Sequence, residues 1–342
     1  MDGLYALPID PEVPPPPASV ENFLRLDAIP FGRSRLFIEL IGDGLATGVR
    51  VPIVVAKGAE PGPVLGLTAC VHGNELNGIP VIHDVFMRTN CEALRGTVVG
   101  VVAVNVPGLH AARRQFIDGT DLNRIMPGRA EGSVAEVYAY RILERILAPL
   151  DYLIDLHTAS FGRLNSLYVR ADMTNEVTAR MAYLQRPQII VHNPPSDHTL
   201  RGAMMARGVP SITVEIGDPQ IWQEEYTIRA TAGVKRVMTH LGMMAEDDKP
   251  QDGDVVLCRK SGWMYTDRGG LLQVHPGVAE RIEKGQRVAT LRNAFGDVFR
   301  EYCAPTSGVV VGKSVNPISQ TGARILHLGE IADDSDPFLR FE

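Results

Sequence analysis

Residues 64–71 read Val-Leu-Gly-Leu-Thr-Ala-Cys-Val, a nearly continuous apolar run. A strand of that composition has no polar face to offer water, so both faces must be covered, as they are inside a layered α/β sheet. Further buried-strand runs are read at Val98 to Asn105, Tyr152 to Leu156 and Ser211 to Ile216. Helical patterns follow Asn77-Gly78-Ile79-Pro80 through Arg88 and recur near 133–147 and 221–241. Two strand-like runs from Arg35 to Ala56, split by a Gly-containing turn, predict an opening hairpin. The alternation of strand and helix predicts an α/β layered domain around a central sheet.

At 342 residues the chain suits one large or two unequal domains. Residues 1–34, with the run Val13-Pro14-Pro15-Pro16-Pro17, are read as an N-terminal arm, because such a Pro run is excluded from helix and central strand. Residues 35–246 form the expected catalytic domain. A polar, turn-forming stretch at 245–254 reads as a linker. Residues 254–342, broken by Gly269-Gly270, Lys284-Gly285 and Ala304-Pro305-Thr306-Ser307-Gly308, are expected as a smaller all-β barrel or sandwich.

A net charge of -6 without a long basic run argues against a nucleic-acid surface and for a small-molecule substrate. The acidic N-terminus lacks the basic start and apolar core of a signal peptide, and no apolar run reaches membrane-spanning length. A cytoplasmic protein that engages no membrane is therefore expected. Cys70, Cys91, Cys258 and Cys303 form no CxxC pair, which disfavours a disulfide framework or a thiolate metal site.

His72 and Glu75 stand three residues apart in a turn just past the carboxyl end of the 64–71 strand, and His157 ends another. Two imidazoles and a carboxylate are the ligand set that leaves a catalytic zinc, one per chain, open to water. Ligands in open α/β sheets bind beyond the carboxyl ends of strands, where all three residues fall together with Glu215. Glu215 interrupts an apolar strand, a burial that is costly unless the carboxylate is functional or paired. Near a metal it can take a proton from water and return it to a leaving amine. Asp155 either orients a ligand or is a plain strand-end carboxylate.

Asn123 and Arg124 follow Asp121 in a turn-rich loop and offer an amide donor beside a planar guanidinium, a pair suited to gripping a substrate carboxylate. Arg114, upstream, is the candidate for steadying the carbonyl oxygen. The remaining histidines, at 83, 110, 192, 198, 240, 275 and 327, match no ligand spacing, so surface or helix-end places are expected for them. His192, Asn193 and the pair Asp197-His198 lie in a polar loop that either walls the cleft or does not.

Four motifs in this order, His72-Gly73-Asn74-Glu75, Asp121-Leu122-Asn123-Arg124, Asp155-Leu156-His157-Thr158 and Val214-Glu215-Ile216-Gly217, resemble the succinylglutamate desuccinylase/aspartoacylase family of the zinc carboxypeptidase-like enzymes. The resemblance covers roughly residues 45–245. It implies a carboxypeptidase-like mixed sheet flanked by helices, zinc on His72, Glu75 and His157, substrate contacts from Asn123 and Arg124, and Glu215 as general base and then acid. It also implies an appended β domain, although no Lys here sits in a carrier motif. Met126 departs from the aromatic residue of many relatives, and Arg170, Arg201 and Arg207 are candidates for meeting a second substrate carboxylate. The resulting expectation is a zinc amidohydrolase that deacylates a small N-acyl amino acid, such as acetylated diaminobutyrate, acetylaspartate or succinylglutamate. A C-terminal peptidase and a metal-free binding protein are the rivals, and homo-oligomerisation is left open.

Overall fold

The computed structural model describes residues 18–195, 198–245, 254–333 and 335–336. The Pro run at 13–17, most of the stretch read as a linker and Asp197 lie outside the described residues.

Strand pairing begins with β1 (Ser19–Glu21), which lies parallel to β2 (Gly32–Gly42) at the sheet edge. β2 and β3 (Gly48–Lys57) form the expected hairpin. Its turn is fixed by Asp43, whose Oδ1 accepts from Leu45 N and Thr47 N, both at 2.8 Å. β4 (Glu60–Ala69) leads into α1 (Gly78–Arg88) and β5 (Arg95–Val101), then the short α2 (Val106–His110). α3 (Val134–Ile142) starts at a capping box in which Ser133 and Glu136 satisfy each other's backbone donors, and it runs on into a π-turn at Leu143–Leu147. β6 (Tyr152–His157), β7 (Arg163–Asn165), β8 (Leu167–Ala171), α4 (Glu176–Leu184), β9 (Ile189–His192), α5 (Leu200–Ala206), β10 (Ser211–Ile216) and α6 (Glu224–His240) complete the first part.

Two strands are shorter than the sequence suggested. β4 stops at Ala69 because Cys70 takes φ +53°, outside extended backbone. β5 stops at Val101, and the chain turns through Asn105, whose side chain caps α2 by accepting from Gly108 N at 2.9 Å.

Strands β5, β4, β6 and β10 are adjacent and mutually parallel, at the middle of a 14-stranded mixed sheet. All residues of β10 are buried, as are all but the first of β6. One face is covered by α1, α4 and α6, which contribute Val81, Ile82, Met181 and Val234 to the core. The other is covered by α3 and α5, with Tyr138, Ile142 and Met204. Each such aliphatic side chain is worth roughly 1.5–3 kcal/mol when fully buried, which is why the central strands carry so little polar content.

After residue 254 the chain is all β. β11 (Val256–Tyr265) pairs parallel with β9 and so extends the large sheet. The remaining strands are β12 (Gly270–Val274), β13 (Arg281–Ile282), β14 (Arg287–Arg292), β15 (Val298–Cys303), β16 (Gly308–Ser314), β17 (Ile318–Ser319) and β18 (Arg324–Ile331). β18, β16 and β13 continue the large sheet beyond β11, while β15, β14, β12 and β17 form a separate antiparallel sheet. β7 pairs with β16, so a strand from this β region is locked beside the segment that follows His157. The architecture is a large mixed sheet flanked by helices with an all-β C-terminal part, as the sequence led us to expect.

Candidate active site

Three neighbouring parallel strands deliver the candidate residues to one place. β4 ends just before the turn His72–Glu75, which is closed by Glu75 N donating to His72 O at 3.1 Å. Gly73 is needed there, since a Cβ would fall 2.0 Å from the carbonyl carbon of Gly108. β6 ends in His157, and the parallel register sets His157 directly beside Glu215 of β10 and Asp155 beside Thr68 of β4. Residues in register on neighbouring strands point to the same face of a sheet.

The nitrogens of both imidazoles are accounted for. His157 Nε2 lies 2.8 Å from Asp155 Oδ2, and Asp155 Oδ1 accepts from Thr68 Oγ1 at 2.7 Å. His72 Nε2 lies 3.1 Å from Asp121 Oδ1. Each carboxylate partner requires the proton on Nε2, which leaves both Nδ1 lone pairs aimed at Glu75. The distances are 3.0 Å from His72 Nδ1 to Glu75 Oε1 and 2.8 Å from His157 Nδ1 to Oε2. His72 Nδ1 is buried and makes no hydrogen bond. Electron-pair donors converging in this way need a cation among them, and His72, Glu75 and His157 can each offer an atom within 4.8 Å of the other two. The donor set and its outer carboxylates fit a divalent zinc.

Electrostatics agree. Burial disfavours the charged form of Glu75, yet His72 and His157 overcome it and hold the carboxyl well below its usual range. Burial also works against protonated His157, but Asp155 and then Glu75 keep its pKa well above the ordinary value, so that without a cation a second proton, on Nδ1, takes up the contact with Glu75, and a bound cation would displace that proton. Asp121 behaves like Glu75, with burial outweighed by His72 and Arg114.

The cluster opens into a cleft of about 840 Å³. Glu215 is on its wall, accepting from Asn165 Nδ2 at 3.0 Å and from Arg170 Nε at 3.4 Å. Arg114 Nη1 donates to Glu75 Oε1 at 3.1 Å and to Ser160 Oγ at 2.7 Å, while its Nε donates to Asp121 Oδ2 at 3.0 Å. Ser160 also donates to Glu75. Asn123 and Arg124 sit on a 3₁₀ turn at the rim. Asn123 Oδ1 accepts from Leu200 N at 2.7 Å, so its amide N–H groups remain for a ligand. Cys70 is buried behind the site, with Sγ 3.1 Å from Glu75 O, and burial pushes its thiol pKa far up.

All seven residues singled out as site candidates therefore line one cleft. Other expectations change. Arg207 is on the outer surface, paired with Glu144, whereas Arg170 and Arg201 line the cleft. His192, Asn193 and Pro194 form part of its wall. His327 is not at the surface but buried at 3% exposure in the same wall, since β18 sets it opposite Trp263 of β11. Ser160, Arg163, Asn165, Trp263 and Arg324 carried no motif signal, and only the pairing of distant strands brings them here. Asp121 was legible as part of its motif, but its role as partner of His72 was not.

The succinylglutamate desuccinylase/aspartoacylase catalytic-domain model matches residues 61–241, more than half of the chain. The chain belongs to this family. N-alpha-acetyl-L-2,4-diaminobutyric acid deacetylase of Halomonas elongata is 25% identical over 336 residues, covering 93% of this chain and 96% of that protein. The product-bound ectoine utilization protein EutE (DoeB) of Ruegeria pomeroyi superposes with a TM-score of 0.80 at 22% identity, over 89% of this chain and 98% of that one. A succinylglutamate desuccinylase/aspartoacylase from Rhodobacter sphaeroides gives 0.80 at 22% identity, over 91% and 100%. These two likenesses establish the fold. The family and its curated relative are deacylases that cleave amides. No helix among the described residues is long and apolar enough to cross a membrane.

Proposed function

We propose that this protein is a zinc-dependent amidohydrolase that removes an acetyl- or succinyl-type acyl group from a small N-acyl amino acid, with one zinc per chain. The reading is carried by one observation: two imidazole Nδ1 lone pairs and the Glu75 carboxylate converge at the ends of adjacent strands, next to Glu215. Zinc held by His72, Glu75 and His157 would acidify a water molecule and polarise the scissile carbonyl.

The protein's own groups do the rest. Asp155 and Asp121 fix the tautomers that present Nδ1. Glu215, oriented by Asn165 and Arg170, takes the proton from the attacking water and passes it to the leaving nitrogen. Arg114, at the inner end of the cleft, stabilises the negative charge that grows on the carbonyl oxygen. Asn123 and Arg124 hold the substrate's α-carboxylate. In this reading residues 35–246 carry the chemistry, and residues 254–342 shape the mouth through Ser261, Trp263, Arg324 and His327. A cleft of about 840 Å³ suits a small ligand. Four unpaired cysteines suit a reducing cytoplasm.

The test is metal content of protein purified without chelator, together with amine release from a panel of N-acetyl and N-succinyl amino acids. About one zinc per chain with turnover of members of the panel is expected. Failure to take up zinc would overturn the reading, as would cleavage of peptide C-termini without cleavage of any N-acyl amino acid.

A further inference from the structure

Of the hydrogen bonds that Asn165 and Arg170 give to Glu215, the one from Asn165 Nδ2 is the better formed, at 3.0 Å against 3.4 Å. What holds Asn165 therefore decides where the carboxylate points. Asn165 is buried and ends the three-residue strand β7, which among the described residues pairs with β16 alone. The register sets Asn165 opposite Gly312, and Ser166 N and Oγ both donate to Val311 O of the same strand, at 3.1 and 3.0 Å. The side chain that grips Glu215 is thus seated on the C-terminal β region, not on the strands that carry the ligand cluster.

Gly312 lets Asn165 lie there. Its φ is outside the left-handed region, so backbone conformation does not demand glycine, but space does. A Cβ at this position would stand 2.4 Å from Asn165 Oδ1 and 2.9 Å from Leu164 O. Glycine in a strand marks either a bulge or a close approach, and the pairing of β16 with β18 does shift register between Val310 and Gly312. The bulge involves β18, however, whereas the nearest atom to the added methyl belongs to the amide that bonds Glu215.

The backbone of Asn165 is pinned as well. Its N–H donates to Asp218 Oδ1 at 3.2 Å, and Gln223 Nε2 donates to Asp218 Oδ2 at 3.1 Å. Gln223 N donates in turn to Asn77 Oδ1 at 3.2 Å, while Asn77 Nδ2 donates to Ile216 O at 2.9 Å. Held in this way on one side and by β16 on the other, Asn165 can yield to an added methyl only by rotating its side chain, which takes Nδ2 away from Glu215. We infer that Gly312 is a positioning residue for deacylation, acting through Asn165 to orient the Glu215 carboxylate. The inference rests on the reading of Glu215 as the proton shuttle and deepens it, since the C-terminal β region then serves the chemical step as well as the mouth of the cleft.

The test measures kcat, KM and bound zinc for wild type, Gly312→Ala, Asn165→Ala and the double variant, on an N-acyl amino acid from the panel above. Loss of a hydrogen bond to a charged acceptor predicts a fall in kcat of about ten- to hundredfold in each single variant, with KM within about threefold and zinc retained. In the double variant Ala at 165 has no bond to Glu215 left to lose, so kcat should stay within about twofold of that of Asn165→Ala. A Gly312→Ala protein with wild-type kcat would overturn the inference, as would losses that multiply in the double variant, the outcome of a purely structural effect of the methyl group. If Gly312→Ala does not fold, the double variant should, because the colliding amide is gone. A double variant that also fails to fold, while Asn165→Ala folds, would assign the need for glycine to Leu164 O and overturn the inference.

Failure of the inference and failure of the deacylase reading are distinguishable. No turnover by wild type, or full turnover by Glu215→Gln, would sink that reading and the inference with it. An inactive Glu215→Gln protein beside a fully active Gly312→Ala protein would sink the inference alone. The NMR signal of the Asn165 side-chain amide, assigned by its absence in Asn165→Ala, adds a readout free of turnover. It should move in Glu215→Gln and in Gly312→Ala, and an unmoved signal in Gly312→Ala would overturn the inference.

Discussion

Replacing Asp155 by Asn keeps the shape of a fully buried side chain and removes one charge. In the native arrangement Oδ1 receives the Thr68 hydroxyl and Oδ2 receives His157 Nε2, so each oxygen has one donor. An Asn whose NH₂ replaces Oδ2 would push the His157 proton onto Nδ1, turning a lone pair aimed at Glu75 into a donor. The opposite orientation sets NH₂ against Thr68, whose hydroxyl can rotate to accept, and this is the cheaper solution. His157 then keeps its tautomer but loses a hydrogen bond to a charged acceptor, worth roughly 1.5–3 kcal/mol. Loss of an outer carboxylate partner of a metal-ligating His typically weakens metal binding by about 10- to 100-fold, a matching range of free energy. Zinc dissociation constants from chelator competition are therefore expected to rise by that factor in Asp155→Asn. They should change less in Thr68→Val, which leaves the His157 bond intact. An Asp155→Asn protein that binds zinc within about twofold of wild type would refute the proposed role of the carboxylate.

Gly73→Ala would drive a Cβ into the backbone of Gly108; it should cost about 1–3 kcal/mol in denaturant unfolding and impair zinc uptake, and an unperturbed protein would contradict the packing. Ser133→Ala, which removes the cap of α3, should lower stability by about 1 kcal/mol. Glu136 is held below the usual carboxyl range by the Ser133 backbone N–H and then by Arg129, so its stabilising contribution is full above about pH 4.3 and is lost as pH falls through the lower folded-state value. The stability gap between wild type and Glu136→Gln should accordingly close between about pH 4.3 and the lower value; a gap that widened on acidification would have the wrong sign. Of the four thiols, Cys303 alone is exposed, while burial lifts Cys70 far up and Cys258 to about 12. Native-state alkylation followed by mass spectrometry should find one modified cysteine, and modification of Cys70 or Cys258 would contradict the burial.

The centre of this fold was legible because its signals are local. A strand buried on both faces must be apolar throughout, so β4, β6 and β10 were visible, and the motif residues follow directly at their ends. What was not legible depends on long-range pairing. β8 and β9 are short, and β8 carries Arg170 next to its last residue, so neither reads as a buried run. β11 joins the large sheet by pairing with β9, more than sixty residues earlier, and no local pattern encodes that register. The same reason hid His327, which is buried only because β18 lays it across from Trp263. Ligand types and spacing pointed to His72, Glu75 and His157, but the tautomers that Asp121 and Asp155 impose are a matter of three-dimensional contact. Arg207 was drawn in by its charge alone; it pairs with Glu144 at the surface and does not line the cleft.

The most direct test is Glu215→Gln, assayed side by side for bound zinc and for amine release. Glu215 touches Asn165 and Arg170 rather than the ligand cluster, so the variant should still bind about one zinc per chain while deacylation is lost. Turnover near the wild-type rate in the zinc-loaded variant would show that Glu215 is not the proton shuttle and would contradict the mechanism at its centre.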